Sequence, residues 1–225
     1  METATGAPAR RHQRNARGQG ARLTGDIVSG ALAVIEREGS AEAVTLRAVA
    51  REIGIAAPSI YAHFPDRDAI LKAVIAQIFD ELAAAIRQGT DAAGADPVAR
   101  LIVGCEAYVS FGLADPARYG VLFNARRMAS QDYEPADPPG PDGRPALAQG
   151  ADAFALLVTA IEDCVNAGVS ASTNPTADAT ALWVALHGTV SLRACLADRF
   201  PWPELHEFVQ DLVLALGKVI VPGAA

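Results

Sequence analysis

Residues 46–64 read LRAVAREIGIAAPSIYAHF, and the spacing of three of them decides the fold. Ala50 is small where two helices would cross closely. Gly54, four residues on, supplies a tight turn that needs positive φ. Ile60, six residues further, packs a second helix back onto the first. A small residue, a glycine and an aliphatic at this spacing describe a helix-turn-helix, whose second helix can enter a major groove. Any helical hairpin could carry the same spacing, so the segment alone leaves that alternative open.

The flanks extend the helical pattern. Upstream, Ile27, Val28, Ala31, Leu32 and Ile35 form one apolar stripe from Leu23, and Gly39 stops it. Thr45 is an N-cap for a short helix burying Leu46, Val49, Ala50 and Ile53. A third helix is predicted from Ala57 to His63, with Pro58 tolerated in its first turn. Asp66 caps a long helix to about Gln88, with Ile70, Leu71, Val74, Ile78, Leu82 and Ile86 inside, followed by a loop over 89–96. Three later helices share one starting signal, Asp96-Pro97, Asp115-Pro116 and Asn174-Pro175, a cap followed by proline at the first helical position. They are predicted to run to about Leu113, Met128 and Arg199. Five prolines in 129–145 predict a loop there. Further helices are predicted over about 146–167 and 203–218. Nothing alternates with period two, so the expected fold is all-α, with about nine helices and no sheet.

Composition agrees. Apolar residues make up 51% and aromatics only 6%, which favours packed helices. No apolar run is expected to reach the roughly 20 residues of a membrane span, and no signal peptide stands behind the N-terminal arginines. Cys105, Cys164 and Cys195 are far apart and read as buried thiols in a reducing cytoplasm, not as disulfides or metal ligands. The net charge is −7, but it is unevenly spread. Residues 1–72 carry 10 Lys/Arg against 8 Asp/Glu, and residues 73–225 carry 9 against 18. Arg10, Arg11, Arg14, Arg17 and Arg22 face only Glu2. A basic arm over 1–20, read as disordered, on an acidic body suits local phosphate contact.

The run Ile60-Tyr61-Ala62-His63-Phe64-Pro65-Asp66-Arg67-Asp68-Ala69-Ile70-Leu71 resembles the Tyr-x-His-Phe-x-(Ser/Asp)-Lys/Arg signature of the TetR family of bacterial regulators. Leu23 to about Gln88 resembles that family's DNA-binding domain in helix count, lengths and order. Residues 183–188, WVALHG, are similar to the Trp…His-Gly mark of one C-terminal subgroup.

The resemblance implies a helix-turn-helix DNA-binding domain over 21–81, with its motif at about 44–63, and a ligand-binding and dimerisation domain over 82–225. It implies a transcription regulator, a repressor or an activator, located in the cytoplasm and on the nucleoid when bound to DNA. Thr45 and Arg47 would hold a phosphate at the start of the second helix, and Tyr61, His63 and Arg67 would touch others. Ala56 stands where the family often has a capping Ser or Thr. Ala56, Ala57, Pro58, Ser59 and Ala62 face the groove and offer little for bidentate base bonds. Ala57, Pro58 and Ala62 would therefore meet thymine methyls, with Arg10, Arg11, Arg14 and Arg17 reading minor-groove shape.

A repressor needs a second input, and candidates to line an effector cavity are Cys105, Tyr108, Phe111, Tyr119, Phe123, Met128, Phe154, Trp183 and His187. The effector would be apolar or amphipathic. In the resembled family the last two helices pair with their mates in a four-helix bundle. Here Leu182, Ala185, Leu186, Thr189, Val190, Phe208, Val209, Leu212, Val213 and Leu216 would form that homodimer contact, which predicts a near-palindromic operator. No catalytic set, metal site or cofactor motif is found, so the chain is not expected to be an enzyme or to carry a cofactor. A helical adaptor that binds protein remains the other reading, although it would not need the arginine arm.

Overall fold

The structure, a computed structural model, describes residues 19–123 and 148–220. Among these residues there are nine α-helices and no strand. They are α1 (Gln19–Glu38), α2 (Leu46–Glu52), α3 (Ala57–Ile60), α4 (Arg67–Ala92), α5 (Pro97–Ala114), α6 (Pro116–Leu122), α7 (Ala148–Asn166), α8 (Pro175–Leu196) and α9 (Leu205–Leu216). Single 3-10 turns occupy Ala41–Ala43 and Ala197–Arg199. The arginines at 10, 11, 14 and 17, Met128 and the proline-rich 129–145 lie outside the described residues.

The helix starts follow the capping logic. The side chains of Thr45, Asp66, Asp96, Asp115 and Asn174 each accept a bond from a backbone N–H two or three residues on. Proline follows the last three caps, where its missing N–H costs nothing.

Four boundaries differ from the sequence reading. Helix α1 begins at Gln19 rather than Leu23, so part of the expected arm is helical. Helix α3 ends at Ile60; the N–H groups of His63 and Phe64 both bond Ile60 O in a closing turn, and Pro65 beyond disfavours further helix. Helix α4 runs through Gly89 to Ala92 instead of stopping at Gln88. Gly89 faces α5, where a Cβ would sit 3.3 Å from Val103 Cγ1, so it serves a close crossing and not a helix end. Helix α6 ends at Leu122, short of Met128.

The stripes read from the sequence are buried. Ile27, Val28, Ala31, Leu32 and Ile35 of α1, and Ile70, Leu71, Val74, Ile78, Leu82 and Ile86 of α4, all belong to one core. Each such aliphatic stabilises the fold by about 1.5–3 kcal/mol. Helix α5 lies centrally, packed against α4, α6, α7, α8 and α9. Helix α6 touches α1 and α4 as well as α5.

One exclusion is corrected. Pro97–Ala114 and Pro175–Arg199 are each long and apolar enough, by length and composition, to cross a membrane. For α5 the apolar circumference answers to neighbours on every side. Helix α8 keeps one apolar face uncovered, described below.

Candidate functional site

The first candidate surface is built on the turn between α2 and α3. Gly54 has φ +69°. The N–H of Ile55 bonds Ala50 O at 2.9 Å, and that of Gly54 bonds Arg51 O at 3.4 Å. This is a Schellman closure, which requires a left-handed residue at the glycine position. It aims α3 away from α2. Val49, Ala50, Ile60 and Phe64 then face the core, while Thr45, Arg47, Ala56, Pro58, Ser59, Tyr61 and Ala62 are exposed together. Tyr61 is 61% exposed, the highest value among the large hydrophobics of the described residues. Ala57 and His63 are half-buried at the edge of this face.

The polar members are pre-positioned. Thr45 Oγ1 accepts from Ala48 N at 3.0 Å, which leaves the hydroxyl proton to donate outward. His63 Nδ1 lies 3.0 Å from Thr24 Oγ1 on α1, which fixes the imidazole. Arg67 also has partners within the fold. Its Nε donates to Val44 O at 2.7 Å and its Nη2 to Ala41 O at 2.8 Å, with Nη1 3.6 Å from Asp68. The guanidinium is held by the turn in front of α2, and so supports Thr45 and Arg47 from behind. Arg67→Met keeps the aliphatic stem and removes both bonds. It is expected to lower stability by about 1–2 kcal/mol, seen in the urea midpoint, since hydrogen bonds from charged groups are the stronger ones and this one is partly solvated.

The second candidate surface is an aromatic cluster between α4, α5, α6, α7 and α8. Phe123 packs on His187 with centroids 4.3 Å apart, on Tyr119 at 5.1 Å and on Trp183 at 6.1 Å. Phe154 meets Trp183 edge-on at 6.2 Å. Phe79, which the sequence reading missed, meets Phe123 edge-on at 6.4 Å. It lies one residue beyond Ile78 and off the α4 stripe, so periodicity gave no sign of it.

Polar atoms thread this cluster. Trp183 Nε1 donates to Tyr108 Oη at 3.2 Å, Tyr108 and Tyr119 share a bond of 2.6 Å, and Tyr119 Oη lies 2.8 Å from His187 Nδ1. Burial raises both tyrosine hydroxyls above their usual range and holds His187 below its usual value. Of the other residues read as lining, Cys105 is buried on the α5 face that carries Tyr108. Phe111 is half-buried and, among the described residues, joins no ring pair of the cluster. Burial pushes the Cys105 thiol up and the Cys164 thiol to about 11, so both are inert at neutral pH. Cys195 departs from the reading: it is exposed.

Next to Tyr119, Arg118 pairs with Glu81 of α4, whose other oxygen accepts from Gln77 Nε2 at 2.9 Å. Helix α6 therefore joins the aromatic cluster to α4, and through its contact with α1 to the three-helix end.

The residues read as a dimer contact divide into two sets. Leu182, Leu186, Thr189, Val190, Val209 and Val213 are buried within the single chain and leave no surface for a partner. The apolar pattern of α8 is nearly circumferential, so periodicity could not tell its inner face from its outer one. Ala185, Phe208, Leu212 and Leu216 are half-buried. The outer face of α8 carries Ala181, Val184, Gly188, Leu192 and Cys195, with Val184 58% and Leu192 52% exposed.

Comparison with known proteins matches this geometry. The family described as "Bacterial regulatory proteins, tetR family" matches residues 27–74, and "Tetracyclin repressor-like, C-terminal domain" matches residues 101–216. No curated protein matches the sequence. Among solved structures, a protein of unknown function from Rhodococcus sp. RHA1 is similar at 22% identity and TM-score 0.68, covering 93% of this chain and 95% of its own. The TetR family transcriptional regulator PfmR of Thermus thermophilus is similar at 18% identity and TM-score 0.57, covering 86% and 96%. The fatty acid degradation regulator FadR of Bacillus halodurans is similar at 13% identity and TM-score 0.65, covering 91% and 96%. These three likenesses are of fold. With the C-terminal match alone spanning just over half of it, the chain belongs to the TetR family of bacterial DNA-binding transcription regulators.

Proposed function

We propose that the protein is a dimeric repressor that leaves a near-palindromic operator when a small apolar or amphipathic molecule enters its C-terminal part. The carrying observation is the joint exposure of Thr45, Arg47, Ala56, Pro58, Ser59, Tyr61 and Ala62 around a turn whose neighbours are buried. In this reading Thr45, Arg47, Tyr61 and His63 meet phosphates, and Ala57, Pro58 and Ala62 meet thymine methyls in the major groove. The arm carrying Arg10, Arg11, Arg14 and Arg17 enters a minor groove. Residues 21–81 act as the reading head and 82–225 as the effector and dimer part.

The dimer contact in this reading uses Ala181, Val184, Gly188, Leu192 and Cys195 on the outer face of α8, with Phe208, Leu212 and Leu216 of α9 beside them. To read two half-sites, a two-fold axis there would have to set the two α3 helices about 34 Å apart, one turn of DNA, or slightly more. An effector among Tyr108, Tyr119, Phe123, Phe154, Trp183 and His187 would move α6. Through Arg118 and Glu81 it would shift α4 and change that separation.

Selection of bound sequences from random duplexes tests the reading. It is expected to return an inverted repeat, bound with a steep fall in affinity as salt rises. Recovery of no sequence above background at low ionic strength would end it.

A further inference from the structure

The chain of hydrogen bonds from Trp183 to His187 has a direction. An indole N–H only donates, so Tyr108 Oη must accept from Trp183 at 3.2 Å. The 2.6 Å bond between Tyr108 and Tyr119 then has two possible senses. If Tyr119 donated, the buried Tyr108 proton would be left without an acceptor among the described residues, which is costly for a buried donor. If Tyr108 donates, the Tyr119 proton passes to His187 Nδ1, 2.8 Å away, and every group is satisfied. This sense makes the imidazole neutral and puts its proton on Nε2. A ring protonated on Nδ1 would donate to Tyr119 and leave one of the two tyrosine protons without an acceptor.

The chain thus delivers one N–H at its outer end. Nε2 lies 3.5 Å from Ser191 Oγ, at the limit of a hydrogen bond, on the rim of the cluster where His187 is half-buried and Ser191 exposed. An acceptor oxygen seated between them would be within reach of both, with aromatic faces on its inner side.

Resting on the proposed effector role of this cluster, we infer that the effector carries a neutral hydrogen-bond acceptor, a carbonyl-type oxygen on an apolar body, received by His187 Nε2–H and Ser191. Tyr108, Tyr119 and Trp183 are positioning residues that fix the ring's tautomer. A purely apolar pocket gives the opposite preference, because a carbonyl loses its hydration on entry without replacement.

The test uses the full chain with Trp202→Phe, so that Trp183 emission alone reports. The probes are methyl hexyl ketone and octane. His187→Phe is expected to weaken the ketone about tenfold and leave octane within about twofold, a difference of about 1.4 kcal/mol. If both probes bind and neither responds to His187→Phe, the acceptor inference is overturned and the effector reading stands. If neither probe binds, the effector reading falls and takes this inference with it. Nitrogen-15 spectra of the unsubstituted protein give a check that needs no variant. His187 is expected in the Nε2–H form, with Tyr119→Phe producing a mixture of tautomers. A ring protonated on Nδ1 in the parent protein would overturn the inference.

Discussion

Ser59→Glu is expected to weaken duplex binding at least about a hundredfold at low salt, while leaving the melting temperature where it was. Ser59 is exposed in the middle of α3, and its own N–H is already bonded to Ala56 O at 2.9 Å. A longer polar side chain there disturbs no packing. Its carboxylate, however, would stand at the centre of the face that the proposed function lays against the duplex. Like charges brought together at an interface cost several kcal/mol, and about 1.4 kcal/mol is tenfold in affinity. Helix α3 has no cation of its own to offset the charge. Gln88→Glu is the control. It makes the same change in net charge at an exposed site on α4, and should alter affinity by less than about threefold. Fluorescence anisotropy with a selected operator would measure both. Equal binding by Ser59→Glu and the parent protein would remove α3 from the groove.

Much of this was legible before any coordinates, and the reasons are local. The turn at Gly54, the caps at Thr45 and Asp66 and the three proline-marked starts each depend on backbone chemistry within four residues, which a sequence displays directly. The buried stripes of α1 and α4 were visible because one side of each is polar. Legibility failed where partners lie far apart in the chain. Arg67 stands where the family has a cation, which shows nothing of its partners within the fold. Its acceptors are carbonyls 23 and 26 residues upstream, which no spacing rule reveals. The inner and outer faces of α8 could not be told apart, since alanine, valine and leucine occur all round it. Of the residues named from the sequence, Tyr108, Tyr119, Phe123, Phe154, Trp183 and His187 share one cluster, but the bonds linking Tyr108, Tyr119, Trp183 and His187 span up to 75 residues and have no sequence mark.

Gly112→Val is expected to be among the most destabilising single changes in the chain, for a reason that reading the helix alone would invert. An exposed glycine inside a helix is usually a weakness, and alanine in its place gains about 0.8–1.0 kcal/mol. Gly112 is instead where α5, α6 and α8 converge. A Cβ there would lie 2.6 Å from Val190 Cγ1 and 2.9 Å from Tyr119 Cδ2. Valine adds two further methyls to a space that has no room for the first carbon. Overpacking of this kind costs about 1–3 kcal/mol and occasionally more, and here two neighbouring helices must move together. A loss of about 3 kcal/mol would lower the melting temperature by about 6–12 °C in a chain of this size. Gly112→Ala separates the explanations: steric convergence makes it destabilising, helix propensity alone makes it stabilising. The displaced ring also matters beyond stability. Tyr119 holds both the 2.6 Å bond to Tyr108 and the bond to His187, and its neighbour Arg118 pairs with Glu81 on α4. Pushing that ring outward by a few tenths of an ångström strains the same linkage through which an effector is proposed to reach the reading heads. Gly112→Ala should therefore weaken operator binding without any effector present, and by more than its loss of stability accounts for. Full operator affinity in a destabilised Gly112→Ala protein would cut the proposed route from the cluster to α4.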